Sequence, residues 1–253
     1  MSSVVMSRWQ ASGLHLLISA TIAAAVVTLM LAVWYPPPLF EAAGGNGLLV
    51  ILVAVDVVLG PLLTLIVFKA GKRGMKLDLA IIGLVQIAAL VYGAYVVALA
   101  RPAFIVFVKD RFELATAVEL QPEELAAAKL PQFRALPWAG PVLVAADMPT
   151  DPAEREKIVT LALSGLDLQH FPRYYVPYAE RRKEVLAKAE TVARMRKTEP
   201  AAAKVIDEYL AGAAIQESAV RVLLLRTRFA WIAVLVDPVS AEPLKMLLAE
   251  MIQ

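Results

Sequence analysis

The sequence contains no cysteine among its 253 residues. Disulfide bonds, thiolate metal sites and a cysteine nucleophile are therefore excluded. The absence leaves the cellular compartment undecided, because oxidising compartments permit disulfides without requiring them. Any folded domain in this chain must depend on its apolar core.

Charge is scarce in the first hundred residues. Positions 1–102 hold six Lys and Arg and three Asp and Glu, out of totals of 25 and 23. Three apolar stretches fill this part, at about residues 16–35, 48–68 and 79–100, and each is close to the ~20 residues that cross a bilayer as a helix. We predict a three-helix transmembrane domain over residues 1–102 and a separate domain over residues 103–253.

The first apolar stretch has a second interpretation, a cleaved signal peptide. Its apolar run exceeds the ~7–15 residues of a signal-peptide core, and it ends in Trp34, Tyr35 and three prolines. Aromatic residues followed by a helix stop are typical of a membrane boundary. We therefore favour an uncleaved membrane helix.

Basic residues predict the orientation of the helices. Arg8 precedes the first helix, and four basic residues lie in or beside the second loop, namely Lys69, Lys72, Arg73 and Lys76. The loop over residues 36–47 contains one Glu and no basic residue. Since basic loops stay in the cytoplasm, we expect a bacterial inner-membrane protein with a cytoplasmic amino terminus and a periplasmic carboxy-terminal domain.

Polar residues at membrane depth are candidate functional residues, because an ionised carboxylate at a helix centre costs about 2.5–3.5 kcal/mol on insertion scales. Asp56 is such a residue, and Pro61 predicts a kink just after it. Spacing places Asp56 and Gly60 on one face of the second helix. The third helix has a similar small and polar face, and the candidate residues on this helix are Gln86, Tyr92 and Gly93.

Two interpretations of these residues stay open. In the first, Asp56 is an interior residue that bonds to Tyr92 or Gln86 and holds the helices in register. In the second, Asp56 and the kink form a docking site for the transmembrane helix of a partner. We favour the first. A single carboxylate with no charged ring is a poor ion pathway.

Residues 103–253 predict a periplasmic α+β domain. Apolar strands are predicted at 104–108, 141–146, 220–225, 229–236 and 244–248, and helices at 122–129, 152–165, 179–197 and 200–210. Strands at both ends with helices between them indicate an antiparallel-rich sheet covered on one face. A mixed sheet is the alternative.

A stretch rich in aromatic residues and proline lies within this domain. It includes Tyr174, Tyr175 and Tyr178, and tyrosines on a surface are frequent partner contacts. A loop held against the core by its own rings is the alternative, and it is the commoner case.

No catalytic motif is present. The sequence lacks a Gly-rich phosphate loop, a Gly-x-Ser-x-Gly elbow and a His-Glu-x-x-His pair. The predicted topology places the two histidines, His15 and His170, on opposite sides of the membrane, and Asp167 lies too close to His170 in sequence to suggest a triad. We expect no enzyme, no cofactor and no metal. The near-neutral net charge of +2 also gives no indication of nucleic-acid binding.

Several segments resemble the TfpX/TfpZ family of type IV pilin accessory proteins. The similarity is densest over residues 34–112 and includes Trp34-Tyr35-Pro36, Leu39-Phe40, Gly44-Gly45, the run from Val55 to Phe68, Lys76-Leu77-Asp78-Leu79, Gln86, Tyr92-Gly93, Arg101-Pro102 and Tyr175-Val176-Pro177-Tyr178.

The resemblance implies an inner-membrane accessory protein of type IV pilus biogenesis. Such a protein is expected to bind or chaperone the major pilin and to modulate its stability or assembly, and so twitching motility, with the lipid bilayer as its other partner. A membrane-bound enzyme that modifies pilin or the envelope is the alternative. A periplasmic sensor would lack an output domain in the cytoplasm.

Overall fold

The structure is a computed structural model that describes residues 7–69 and 72–251. It consists of two compact units, which we describe separately. The first unit comprises Met1–Val33 and Gly44–Ala98, and the second comprises Trp34–Ala43 and Leu99–Gln253.

Two long apolar helices dominate the first unit. Helix α1 spans Arg8–Trp34 and contains 27 residues, while the helix Met75–Ala100 contains 26. At ~1.5 Å per residue both exceed the ~30 Å thickness of a hydrocarbon core. Only 17% of the most apolar 18-residue stretch of each helix is buried, whereas a core helix of a soluble protein is mostly buried. These exposed apolar surfaces therefore indicate membrane association.

The predicted second membrane helix is interrupted. A short helix α2 (Leu39–Ala42) precedes it, and the stretch itself consists of α3 (Gly45–Val53), a π-helical turn (Ala54–Leu59) and α4 (Gly60–Val67), of 9, 6 and 8 residues without a gap. Within the described residues two helices, α1 and α5 (Met75–Ala100), are long and apolar enough to span a membrane, and the third predicted span, over this irregular helical stretch, stays a prediction.

Pro61 explains the interruption. It has no amide hydrogen to donate to the Val57 carbonyl, and its ring crowds the preceding turn. A wider i→i+5 turn immediately before a proline relieves that crowding, and such turns are common at functional sites. The predicted kink after Asp56 therefore takes the form of a π-helical turn.

The second unit is built on a seven-stranded mixed sheet. The strands are β1 (Pro102–Val108), β2 (Arg111–Thr116), β3 (Val142–Ala146), β4 (Tyr175–Pro177), β5 (Arg221–Arg226), β6 (Ala230–Val236) and β7 (Pro243–Met251), in the order β4-β3-β1-β2-β5-β6-β7. The pairs β1/β3 and β2/β5 are parallel, and the other four pairs are antiparallel. Parallel neighbours need a long crossover connection, whereas antiparallel neighbours can be joined by a short turn. The chain between β1 and β3 and the chain between β2 and β5 are both long enough for such a crossover.

Helices cover both faces of this sheet, not one face as predicted. All seven residues of β1 are buried, and alternate residues of a strand point to opposite faces. The covering helices are α6 (Pro122–Ala126), α7 (Pro152–Leu163), α8 (Arg182–Lys188), α9 (Val192–Thr198) and α10 (Pro200–Ala213).

The predicted helix over residues 179–197 is divided into α8 and α9. Between them Glu190 forms a β-bridge with Val222, with backbone bonds of 2.8 and 2.9 Å. Thr191 then caps α9 by accepting a hydrogen bond from the Arg194 amide at 3.2 Å. This contact with the sheet breaks the helix that the spacing of apolar residues over 179–197 predicted. Helix α10 continues past the predicted end at residue 210 to Ala213, and the residue after it, Ala214, is left-handed with φ 53°.

The segment between the first two apolar stretches is part of the second unit. In this first-loop segment, Trp34–Ala43, the side chains of Leu39 and Ala42 are fully buried in the same apolar cluster as β5 and β6. The Thr227 hydroxyl donates to the Ala42 carbonyl at 2.7 Å from the turn before β6. The predicted boundary at residue 102 assigned this segment to the membrane domain, whereas its side chains complete the core of the sheet domain.

We predict that Leu39→Ala destabilises the sheet domain although residue 39 lies far from it in sequence. Removing a fully buried leucine side chain leaves a cavity that costs roughly 2–5 kcal/mol. Thermal unfolding of the full protein, followed by near-UV circular dichroism, measures the effect. Val239→Ala, at a position that is 85% exposed, is the control. Equal midpoints for Leu39→Ala and the native protein would contradict the assignment.

Candidate functional site: a polar contact cluster among the apolar helices

Two hydrogen bonds join α1 to the stretch around Pro61 in the first unit. The Ser12 hydroxyl donates to the Pro61 carbonyl at 2.8 Å, and Nδ1 of His15 lies 2.6 Å from the Thr64 hydroxyl. Ser12 and His15 are three residues apart on α1, and Pro61 and Thr64 are three residues apart on α4, so one helical face on each side carries both contacts. The two helices are thus matched in register.

A close approach joins α4 to α5 in the same unit. A Cβ atom added at Gly60 would overlap the side-chain amide of Gln86, so a larger residue at position 60 requires this amide to move. Nε2 of Gln86 also lies 3.5 Å from the Ser19 hydroxyl of α1, at the outer limit of a hydrogen bond. Gln86 therefore contacts both other helices.

These six residues, Ser12, His15, Ser19, Gly60, Thr64 and Gln86, form what we call the polar contact cluster. In lipid, apolar side chains supply no hydrophobic force between helices, so small residues and interhelical hydrogen bonds hold the helices together. The predicted small and polar faces of the second and third helices meet at Gly60 and Gln86. Sequence reasoning missed Ser12 and Ser19, although their seven-residue spacing with His15 between them was the available signal.

The other predicted membrane residues have different outcomes. The Pro61 carbonyl accepts the hydroxyl of Ser12, a residue of the cluster. Tyr92 is 69% exposed and Gly93 is half-buried, and neither is among the cluster contacts. The side chain of Asp56 lies outside the described part of the chain, so the choice between its two interpretations stays a prediction.

An open cleft lies beside the cluster, between α1 and α5. It has a volume of about 170 Å³ and is lined mostly by apolar side chains. His15, Ser19 and Gln86 contribute its polar groups, and Gly83 and Leu90 extend it along α5. The cleft thus combines an apolar wall with three polar side chains of the polar contact cluster.

The predicted tyrosine contacts of the sheet domain are mainly core residues. Tyr175 is fully buried, and its hydroxyl donates to the Gln169 carbonyl at 2.5 Å. The hydroxyl of the buried Tyr178 donates to the Ala241 carbonyl at 2.5 Å. The surface-contact interpretation therefore fails for these two residues, and the alternative of a loop held by its own rings describes them. Tyr174 is partly exposed, and its hydroxyl lies 3.4 Å from Glu154.

His170 is a buried residue of a 3₁₀ turn, Leu168–His170, and not an accessible base. Burial lowers the pKa of His170, and the carboxylates of Glu119 and Asp167 oppose this shift. The Asp167 carboxylate accepts the Leu168 amide at 2.7 Å and lies 3.5 Å from Lys109. It is therefore a turn cap and an ion-pair partner, and it does not orient the imidazole through a side-chain bond of the kind a catalytic triad requires.

Across residues 7–69 and 72–251, the structure contains no group of three or more His, Asp and Glu side chains placed to hold a metal ion.

The fold and the cluster define a class: a membrane-associated protein whose apolar helices are joined to a mixed-sheet domain. Comparison of the sequence then identifies the family. The model of the family "Fimbrial assembly protein FimB" matches residues 3–44. The fimbrial assembly protein of serogroup I from Dichelobacter nodosus is 34% identical over 185 residues, which is 72% of each chain. The chain belongs to this family of fimbrial assembly proteins.

Two further relatives come from the same organism. The fimbrial assembly protein of serogroup E1 is 33% identical over 72% of each chain. The protein of serogroups C1 and C2 is 36% identical over 116 residues, which is 45% of this chain and 88% of the relative. No solved structure matches the chain.

We predict that Gly60→Ala loosens the helix contacts whereas Gly13→Ala does not. The new methyl group at position 60 displaces the Gln86 amide and disturbs its contact with Ser19, and the loss of one hydrogen bond costs roughly 0.5–1.5 kcal/mol. At Gly13 an added Cβ meets nothing within 4 Å, so the same chemical change serves as the control. Unfolding in mixed detergent micelles measures both. Equal stability of the two variants would argue against the close approach.

We also predict that the sheet domain loses stability in acid through His170. A histidine whose folded pKa is lowered contributes stability above its unfolded pKa, about 6.5, and this contribution is lost as the pH falls through the folded value. His170→Gln should flatten the dependence of the unfolding midpoint on pH between about 7.5 and about 5.5. His15→Gln, which alters the other unit, should leave the slope unchanged. An unaltered slope in His170→Gln would refute the prediction.

Proposed function

We propose that this protein is an inner-membrane accessory protein of type IV pilus biogenesis that binds the major pilin. The observation that carries the proposal is the match to fimbrial assembly proteins over most of the chain. Within that family, the sequence resembles the pilin accessory type. A pilin waiting for assembly presents an apolar helix in the membrane and a folded head in the periplasm. We infer that the apolar helices of this chain contact the pilin helix and that its sheet domain contacts the pilin head.

The placement of the first-loop segment supports three membrane crossings. The residues before and after Gly44–Ala98 belong to one unit, so both ends of this stretch lie on the same side of any membrane that it enters. Helix α5 is long enough to cross once. The stretch must then cross a second time, and α3, the π-helical turn and α4 are its other helical part. With α1 the total is three, with the sheet domain in the periplasm and the basic loop around Arg73 in the cytoplasm.

We assign the pilin helix to the cleft between α1 and α5. Gly60 and Gln86, which are predicted contacts, pack against each other within the unit, and Gln86 also lines the cleft, where a partner helix can reach it. Ile18 and Ile22 of α1 and Ile87 of α5 supply the apolar wall. Asp56 and Tyr92 remain candidate contacts.

Two weak contacts in one chain can together give sufficient affinity for the pilin. A helix contact in the membrane and a head contact in the periplasm, joined in one chain, raise the effective concentration of the second contact. Such a protein acts as a chaperone for the pilin without catalysing a reaction. It holds the subunit until assembly and releases it when either contact is lost.

Photocrosslinking in intact cells tests this proposal. A photoreactive amino acid at Ile22 or Ile87, which line the cleft, should capture the major pilin. Val85, which is exposed on α5 but does not line the cleft, is the matched control and should give at most a weak product. Capture of pilin at all three positions would remove the cleft assignment. Capture at none of them, in cells that contain both proteins, would overturn the pilin proposal.

A further inference from the structure

Exposed apolar side chains gather at one end of the sheet. Strand β1 starts at Pro102, directly after Arg101 and the end of α5. Parallel pairing of Phe104 with Val142 places the start of β3 at the same end. Antiparallel pairing of Pro102 with Thr116 places the end of β2 there as well. We call this the Arg101 end of the sheet.

The apolar side chains exposed at the Arg101 end include Trp138 at 78%, Val118 at 57% and Val142 at 39%. The opposite end of β1 and β2 is instead a charged turn that includes Lys109 and Asp110, both exposed. The two ends of the β1–β2 pair thus differ in polarity, and exposed apolar patches are typical of interaction surfaces, including membrane contacts.

The loop that carries Trp138 is fixed to the ends of two long apolar helices. The indole nitrogen of Trp34, the last residue of α1, donates to the Trp138 carbonyl at 3.0 Å. Arg101 donates to the Pro137 carbonyl at 3.3 Å, and its guanidinium lies 5.9 Å from the centre of the Trp34 ring. The Trp34 and Trp138 rings meet edge to face at 6.3 Å. Two helix ends and the loop are therefore held at one level.

That level is the membrane boundary if α1 and α5 span the bilayer. Tryptophan favours this boundary because its ring is apolar and its N–H group is polar, and an arginine beside it can reach lipid phosphates. Trp138 belongs to the sheet domain, so its insertion would fix the domain against the lipid at a point separate from the helices themselves.

We propose that the Arg101 end of the sheet is a lipid-binding surface in which Trp138 inserts among the lipid headgroups. The surface takes phospholipid headgroups and the upper acyl chains as its ligand. The inference goes beyond pilin binding and depends on the membrane placement of α1 and α5. It implies that the charged turn with Lys109 and Asp110, at the other end of β1 and β2, faces away from the lipid.

Spin labelling of the full protein in vesicles of phosphatidylethanolamine and phosphatidylglycerol tests this proposal. The chain has no cysteine, so single cysteines can be labelled without background. Ala139→Cys reports beside Trp138 and leaves the indole in place. Val239→Cys reports from the turn after β6, at the opposite end of the sheet. Leu84→Cys, at an exposed position of α5, reports the bilayer itself.

Collision rates with oxygen, which is concentrated in lipid, and with a water-soluble nickel chelate give the result. We expect the oxygen-to-nickel ratio at position 139 to be several-fold higher than at position 239 and below that at position 84. A ratio at 139 no higher than at 239, with a high ratio at 84, would overturn the lipid surface and leave the membrane placement standing. Low ratios at all three positions would overturn both.

Discussion

The burial of Leu39 and Ala42 in the core of the sheet domain is the constraint on which the rest of the molecule depends. A loop between two membrane segments normally lies on the surface, where its backbone is solvated. Here it packs against β5 and β6, and the Thr227 hydroxyl satisfies the Ala42 carbonyl. The sheet domain therefore contains a segment that comes between two apolar stretches in the sequence. The chain leaves this unit after Ala43 and returns to it at Leu99.

The apolar helices are held together by a different kind of interaction. In water, burial of apolar area would hold them together, but in lipid that force between helices is absent. The polar contact cluster supplies specific contacts in its place, with the Ser12 hydroxyl on a carbonyl, His15 on Thr64 and the Gln86 amide over Gly60. Pro61 contributes to both features, because it interrupts the helix and also offers the carbonyl that Ser12 reaches. The cleft beside this cluster leaves part of the polar surface accessible to a partner.

Much of the architecture could be predicted from local sequence signals. The apolar runs predicted α1, α5 and the strands β1, β3, β5 and β6, and Asp151 with Pro152 predicted the start of α7, where the carboxylate accepts the Glu154 amide at 2.9 Å. Strand β2 was missed because Arg111 and Glu113 interrupt its apolar pattern, although Glu113 is buried and its carboxylate lies 3.0 Å from Arg226. Strand β4 was missed because it has three residues and ends in proline.

The remaining features depend on contacts between distant residues. The break between α8 and α9 is set by the bridge from Glu190 to Val222, and the position of the first-loop segment is set by the cluster around Leu225. Neither leaves a periodic signal. The candidate site was predicted in part: Gly60 and Gln86 meet as their spacing indicated, whereas Tyr175 and Tyr178 proved to be core residues because aromatic rings with bonded hydroxyls are stable when buried.

Hydrogen exchange of the full protein in lipid nanodiscs tests the central claim most directly. If the first-loop segment folds with the sheet domain, the amides of Leu39–Ala42 should exchange as slowly as those of β6, and denaturant should release both together. Fast exchange of these amides, at the rate of the exposed turn around Val239 while β6 stays protected, would contradict the account.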